Sequence, residues 1–152
     1  SHILRIIRQI IAFKPKQEKT DISQAIEYFN NVMKKRCICF VLSDFISPEF
    51  EKPLKIAAKK HDIVALRLND ERENSLPNVG IIPLKDAEDK SITYIDTSSK
   101  EVRDVYAKKQ KEKYFELLKL FPRCGVDIID ISTGKDYVKP LINFFKSRGK
   151  RK

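Results

Sequence analysis

The sequence predicts an α/β fold, a three-layer open sheet that is mostly parallel, with helices on both faces and one β-hairpin. Continuous apolar runs such as Cys37–Leu42 are typical of strands buried inside a parallel sheet. Segments with apolar residues at helical spacing separate these runs. Because strands that alternate with helices are joined by right-handed crossovers, the order favours a sandwich of helices around a parallel sheet.

Two helices are predicted before the first strand. Isoleucines at helical spacing indicate an amphipathic helix over 2–12, and Lys14-Pro15-Lys16 ends it. Thr20-Asp21 offers an N-cap for the second helix. The run Cys37–Leu42 follows, and we expect a strand buried on both faces.

The middle of the chain predicts a helix, a strand and a hairpin. Ser47-Pro48-Glu49 combines a cap, a proline at the first helical position and an acid, which indicates a helix start. Ile63–Leu68 is the next predicted buried strand. A polar loop over 69–78 leads to Val79–Leu84, an edge strand because Pro83 cannot donate a hydrogen bond. Ile92–Asp96 is expected to pair back with it.

The last third predicts a long helix, a strand and a final helix. Ser98-x-x-Glu101 is a capping box, and the segment from Pro122 to Gly125 closes the helix that it opens. Val126–Ile131 is expected to be a strand. Thr133-x-x-Asp136 starts the last helix, which is anchored by Leu141, Ile142, Phe144 and Phe145.

Composition is that of a soluble globular domain. The chain has 152 residues, of which 41% are hydrophobic and 34% charged. We expect one domain over 1–147 and a solvated basic tail over 148–152. No apolar stretch is long enough to span a bilayer, and the start carries no signal-peptide pattern. The three cysteines predict reduced thiols and a cytoplasmic location.

The net charge of +10 favours anionic partners, including nucleic acid or an acidic protein surface. The last twenty residues, 133–152, carry +6 of this charge, and residues 108–113 form a separate lysine-rich segment. A solvated face and a solvated tail are the preferred interpretation, because no aromatic-studded basic strand or recognition helix accompanies them. Nucleic-acid binding therefore ranks behind protein binding.

Asp44 is the main candidate for chemistry, because it follows a buried strand at the edge where α/β sheets gather ligands. The alternative, favoured by local sequence alone, is that Asp44 starts a turn. Thr20 could converge with Asp44, and hydroxyl and carboxylate oxygens suit Mg²⁺. Two ligands do not make a magnesium site. A lone His61 is read as a surface or C-capping residue, and no phosphate-binding glycine loop or Gly-x-Ser-x-Gly motif occurs.

The chain resembles the bacterial domain-of-unknown-function family 58 from about His2 to Phe145. The resemblance rests on Thr20–Ile26, Val41–Phe45, His61–Leu66, Leu76–Gly80, Ile95–Ser99 and Asp136–Leu141. It implies a von Willebrand factor A-like, Rossmann-like fold, of which this chain matches the C-terminal portion. Members are often encoded beside MoxR-type AAA+ ATPases. The implied role is a non-enzymatic adaptor that helps to assemble other proteins.

The resemblance also implies a partial metal-ion-dependent adhesion site. Thr20 matches the threonine of that site and Asp44 its aspartate, in Ser43-Asp44-Phe45 rather than the common Thr-Asp-Gly. No Asp-x-Ser-x-Ser segment occurs in the chain, and in the family it would lie upstream of Ser1. We therefore expect no tight Mg²⁺ binding by this chain alone.

The missing first strands of the family imply an exposed apolar edge on the strand Cys37–Leu42, and we expect the chain to self-associate there. Two alternatives to the adaptor role stay open. One is a nucleic-acid-binding module that uses the lysine-rich helix and the tail. The other is a Mg²⁺-dependent hydrolase with Asp44 as a ligand, which lacks a convincing general base.

Overall fold

The computed structural model describes residues 2–14, 20–47, 49–85 and 91–150. The predicted α/β fold is confirmed. The helices are α1 (His2–Ala12), α2 (Ile22–Val32), α3 (Glu51–Lys60), α4 (Lys100–Arg123) and α5 (Val138–Gly149). The strands are β1 (Ile38–Ser43), β2 (Asp62–Asn69), β3 (Ile81–Lys85), β4 (Ile92–Asp96) and β5 (Asp127–Ser132).

The parallel sheet has the strand order β1-β2-β5, and the hairpin β3-β4 forms a separate antiparallel pair. Phe40 lies opposite Val64, and Leu66 lies opposite Ile129. The predicted hairpin is thus confirmed, although the turn residues 86–90 lie outside the described part of the chain. Within the described residues β1 and β5 are the two edges of the parallel sheet.

The first face of the sheet carries the larger core. Helices α2 and α3 and the C-terminal half of α4 cover it, and Leu54, Ala57 and Phe121 are fully buried there. The second face is covered by α5. Its core has three buried residues, Val64, Leu66 and Ile129, with Leu141 and Phe144 of α5 packed against them.

The prediction that the first strand is buried on both faces is wrong. On the second face Ile38, Phe40 and Leu42 of β1 are 58%, 41% and 63% exposed. The reason is positional, because β1 is an edge strand and α5 reaches it through Phe145, whose ring lies 6.1 Å from that of Phe40. An apolar run therefore does not by itself tell how many neighbours a strand has.

Three predicted helix starts are displaced along the chain. Helix α5 begins at Val138, after the N-cap residue Tyr137, rather than at Thr133-x-x-Asp136. Helix α3 begins at Glu51, after the buried Phe50, rather than at Ser47-Pro48-Glu49. Pro48 lies outside the described residues. The cap of α4 is Ser99, whose Oγ accepts a hydrogen bond from the Val102 N–H at 3.4 Å. Ser98 lies one residue before this cap, in the preceding turn, where its N–H donates to Asp96 Oδ1 at 2.9 Å.

Arg148, which the sequence assigned to a solvated tail, belongs to α5. Its guanidinium lies 2.5 Å from Asp62 Oδ1 and 3.0 Å from Asp127 Oδ2, and it covers the Phe144 ring. These carboxylates hold the pKa of Arg148 above its usual value, with the Asp62 hydrogen bond as the largest cause. The end of α5 is thereby tied to the amino ends of β2 and β5.

Helix α1 forms as the isoleucine spacing predicts, yet none of its residues is buried. Ile3, Ile10 and Ile11 are among the most exposed apolar side chains of the described chain. None of the described helices is both long enough and apolar enough to cross a membrane.

Candidate functional site

Asp44 forms a tight turn directly after β1. Its Oδ1 accepts a hydrogen bond from the Ile46 N–H at 3.0 Å and one from the Ser43 hydroxyl at 3.3 Å. The Ser43 Oγ in turn accepts from the Phe45 N–H at 3.0 Å. The alternative that local sequence favoured, a turn-forming Asp44, is therefore confirmed. The carboxylate is exposed to solvent, so it can form the turn and still contact a partner or a cation.

Phe45 anchors this turn in the core. Its φ of 59° lies in the left-handed region that glycine adopts freely and aromatic residues rarely do. The side chain is 4% exposed, and its ring lies 4.9 Å from that of Phe121 and 5.8 Å from that of Phe50. Burial of the ring offsets the backbone strain. The position of Asp44 is thus set by the packing of the residue that follows it.

Thr20 lies at the start of α2, one residue before the helix cap. The Asp21 Oδ1 accepts a hydrogen bond from the Gln24 N–H at 2.8 Å, which makes Asp21 the N-cap and leaves Thr20 exposed outside the helix. Thr20 and Ser43 line the same groove between α2 and β1, a cavity of about 350 Å³ with mostly apolar walls. Asp44 lies one residue beyond this groove.

The oxygens at this edge suit a hard cation but are too few for one. Mg²⁺ demands an octahedral set of oxygen ligands, some of them water, whereas Thr20 and Asp44 offer one hydroxyl and one carboxylate. In residues 2–14, 20–47, 49–85 and 91–150, no group of three or more His, Cys, Asp or Glu side chains is placed to hold a metal. A complete site would need ligands beyond this donor set.

A polar cluster beside Asp44 was missed from the sequence. Arg67 Nη1 donates to Asp130 Oδ1 at 2.9 Å, and the Tyr114 hydroxyl donates to Asp130 Oδ2 at 2.8 Å. The Arg67 guanidinium lies 4.6 Å from the centre of the Tyr114 ring. Arg67, Tyr114 and Asp44 line one small cavity of about 50 Å³. The cluster thus adjoins the candidate site at the carboxyl edge of the sheet.

This cluster stabilises the carboxyl edge of the parallel sheet rather than supplying a reactive group. Burial, and then the hydrogen bond to Asp130, raise the pKa of Tyr114, so its hydroxyl stays protonated at neutral pH. Arg67 is balanced by Asp130, and together they tie α4 to the ends of β2 and β5. A sequence signal was present, because Arg67 and Asp130 each interrupt an apolar strand and are cross-strand partners in the parallel register.

His61 lies at the other end of the sheet. Its backbone N–H donates to the Ala57 carbonyl at 2.8 Å, which confirms the predicted C-cap, but the surface interpretation is wrong because the side chain is 3% exposed. Its Nδ1 lies 3.5 Å from Cys37 Sγ, and its ring packs edge-on against Phe29. The register of β1 and β2 separates the amino and carboxyl edges by about 16 Å. His61 is therefore not a neighbour of Asp44.

Comparison with known proteins gives a family and uncharacterized relatives. The model of a family described as protein of unknown function DUF58 matches residues 1–115. An uncharacterized protein of Mycobacterium avium is 29% identical over 129 residues, which cover 84% of this chain and 76% of that protein. No solved structure matches the chain significantly.

Longer relatives also match. Uncharacterized proteins of Mycobacterium tuberculosis strain H37Rv and of Mycobacterium bovis are each 25% identical over 135 residues. The match covers 88% of this chain but 42% of each relative. The chain therefore spans less than half the length of these two proteins.

Proposed function

Since the chain belongs to the DUF58 family, we propose that it is a non-enzymatic protein-interaction module that acts as an adaptor in the assembly or maturation of other proteins. The observation that carries this proposal is the exposed Asp44 carboxylate on a core-anchored turn, at the end of an edge strand and beside the groove that Thr20 lines. A rigid, solvent-facing acid at a sheet edge suits binding of a partner.

The proposed interaction depends on Mg²⁺. Thr20 and Asp44 would contribute a hydroxyl and a carboxylate to the cation, and residues other than these two would supply the remaining ligands. An acidic side chain of the partner would fill the open coordination position. The Arg67–Asp130–Tyr114 cluster supports the proposal indirectly, because it holds the strand ends next to Asp44.

The proposed partner is a MoxR-type AAA+ ATPase, and the proposed location is the cytoplasm. The partner rests on the family resemblance. The location is supported by Cys37, Cys39 and Cys124, which are all free thiols.

Binding to the purified ATPase, with Mg²⁺ or with EDTA, tests the proposal on the protein expressed from its complete gene. Asp44→Asn removes the charge but keeps an oxygen for the turn. We expect this change, like EDTA, to weaken binding about tenfold or more, because a lost charged ligand has no replacement. Asp136→Asn is the matched control, since Asp136 makes the same turn with the Val138 N–H at 2.9 Å. Binding that ignores both EDTA and Asp44→Asn would refute the proposal.

Nucleic-acid binding is the second candidate. The observation in its favour is that Lys108, Lys109, Lys111 and Lys113 are all exposed on α4. Phosphate contacts release counterions, so true binding would weaken steeply as salt rises. A shallow salt dependence, or none, would remove this candidate and leave the lysines as a solvated face.

A further inference from the structure

We propose that Cys37 is a site of S-thiolation, where an anionic low-molecular-weight disulfide such as glutathione disulfide forms a mixed disulfide with the protein. His61 activates the Cys37 sulfur, and the basic residues around the pair attract the reagent. The site lies at the amino edge of the parallel sheet, whereas Asp44 lies at the carboxyl edge. It does not depend on the proposed adaptor function.

The backbone holds the Cys37–His61 pair in place on both sides. The Asp62 N–H donates to the Cys37 carbonyl at 2.9 Å, and the His61 N–H donates to the Ala57 carbonyl at 2.8 Å. The imidazole is 3% exposed and packs edge-on against Phe29, with 4.8 Å between the ring centres. These contacts place Nδ1 of His61 at 3.5 Å from the Cys37 sulfur. The pair is thus fixed by contacts among the described residues.

The second ring nitrogen of His61 indicates which form of the imidazole contacts the thiol. Nε2 is buried, and no hydrogen-bond partner for it lies within residues 2–14, 20–47, 49–85 and 91–150. Because a buried N–H without an acceptor is costly, the single proton of the neutral ring belongs on Nδ1. The Nδ1–H then donates to the Cys37 sulfur. Such a hydrogen bond favours the thiolate, which is the nucleophile in thiol–disulfide exchange.

The other two cysteines are poorer nucleophiles than Cys37. Burial raises the pKa of the Cys39 thiol, and burial also raises the pKa of the Cys124 thiol. Both thiols are therefore less ionised at neutral pH than an exposed thiol. Cys124 is also inaccessible in the core, whereas Cys37 is partly exposed. We therefore expect a small disulfide to react selectively at Cys37.

The charge around the pair suits an anionic reagent. Five exposed basic side chains lie within three positions of Cys37 or His61 along the chain: Lys34, Lys35, Arg36, Lys59 and Lys60. The one acid in the same two spans, Asp62, is balanced by an ion pair with Arg148 at 2.5 Å. Basic neighbours stabilise a thiolate and raise the local concentration of an anion. Glutathione disulfide is such an anion, because its carboxylates outnumber its amino groups.

The exchange balances without a further reactant. Cys37 loses its thiol proton to water, and the thiolate attacks one sulfur of the disulfide. A new S–S bond forms at Cys37 while the S–S bond of the reagent breaks, and the leaving thiolate takes up a proton from water. Cys37 is thereby oxidised to a mixed disulfide, and the other half of the reagent is reduced to a thiol. His61 keeps its Nδ1 proton throughout.

Reaction with glutathione disulfide tests the proposal on the folded protein expressed from its complete gene, with modified cysteines identified by peptide mass spectrometry. We expect Cys37 to react about tenfold or more faster than Cys39 and Cys124. His61→Phe keeps a ring against Phe29 but removes the Nδ1–H. It should slow the reaction at Cys37 about threefold or more, because the loss of thiolate exceeds the gain in intrinsic nucleophilicity. Equal rates at the three cysteines, protection of Cys37, or an unchanged rate in His61→Phe would overturn the proposal.

A charge test remains decisive if His61→Phe fails to fold. Lys34 and Lys35 are exposed, so Lys34→Glu combined with Lys35→Glu leaves the core intact. At low salt this double variant should react about threefold or more slowly with glutathione disulfide, and faster with cystamine, a cationic disulfide. Lys109→Glu combined with Lys111→Glu, at exposed positions of α4, is the matched control and should change neither rate. Rates at Cys37 that ignore the charges at 34 and 35 would overturn the assignment of an anionic reagent.

Discussion

The two faces of the parallel sheet are covered very differently. Three helices pack on the first face and bury a contiguous core that includes Leu54 and Phe121. Among the described residues, α5 is the helix that covers the second face, where three residues are buried and Ile38, Phe40 and Leu42 of β1 remain exposed. Hydrophobic stabilisation in this chain is therefore concentrated on one side of the sheet.

Each face also has an arginine that joins a helix to strand ends. On the first face, Arg67 reaches from β2 to Asp130 and Tyr114 at the carboxyl edge. On the second face, Arg148 reaches from α5 to Asp62 and Asp127 at the amino edge. Because α5 has no buried residue of its own, the polar contact should matter relatively more on the second face.

The largest expected effect is Leu54→Ala on the first face. Leu54 is 1% exposed within the large core, and the cavity left by the change cannot collapse easily. We expect a loss of about 4 kcal/mol in the free energy of unfolding, measured by urea denaturation. A loss below about 2 kcal/mol would mean that the first core is loosely packed.

The same substitution at Leu66 removes a leucine from the core of the second face. Leu66 is 6% exposed, and its cluster contains only three buried residues. Because the surrounding side chains are partly solvated and can relax, Leu66→Ala should cost about 2 kcal/mol. If Leu54→Ala and Leu66→Ala lower the free energy of unfolding by the same amount in urea, the two faces do not differ in hydrophobic stabilisation.

Arg148→Met tests whether ion pairs compensate for the thin second core. Methionine keeps the packing against Phe144 but loses both carboxylate contacts. Since the side chains are about one-third exposed, we expect a loss of about 1.5 kcal/mol that shrinks at high salt. Lys146→Met, at an exposed position of the same helix, is the control. An equal loss in both variants would remove the special role of Arg148.

Periodicity was sufficient to predict the α/β class, the helices and the hairpin. It could not predict how many neighbours β1 has, because an apolar run such as Cys37–Leu42 is compatible with a central strand or an edge strand. The cap of α4 was predicted one residue too early, because Ser98 and Ser99 are both good N-cap residues. Only their hydrogen bonds distinguish them.

The candidate site was predictable only where its signal was local. Asp44 stands out at the end of an apolar run, and the Thr20-Asp21 pair at a helix start. The Arg67–Asp130 pair joins residues 63 positions apart, and finding it requires the strand order and register. A charged residue inside an apolar strand indicates a partner of opposite charge on the neighbouring strand, because an unpaired buried charge is costly.

Tyr114→Phe has the smallest expected effect and probes the first-face contact through pH. At pH 7 the lost hydrogen bond to Asp130 should cost about 1 kcal/mol. The pKa of Tyr114 is raised in the folded state, chiefly by burial, so its contribution is fully present below the unfolded pKa of about 10 and is lost as the pH rises through the folded value. The stability difference between wild type and Tyr114→Phe should therefore shrink above about pH 10.

Tyr94→Phe, at a highly exposed position, is the control for general alkaline destabilisation. A difference that stays constant or widens above pH 10 would show that the hydroxyl does not stabilise the first face in its protonated form.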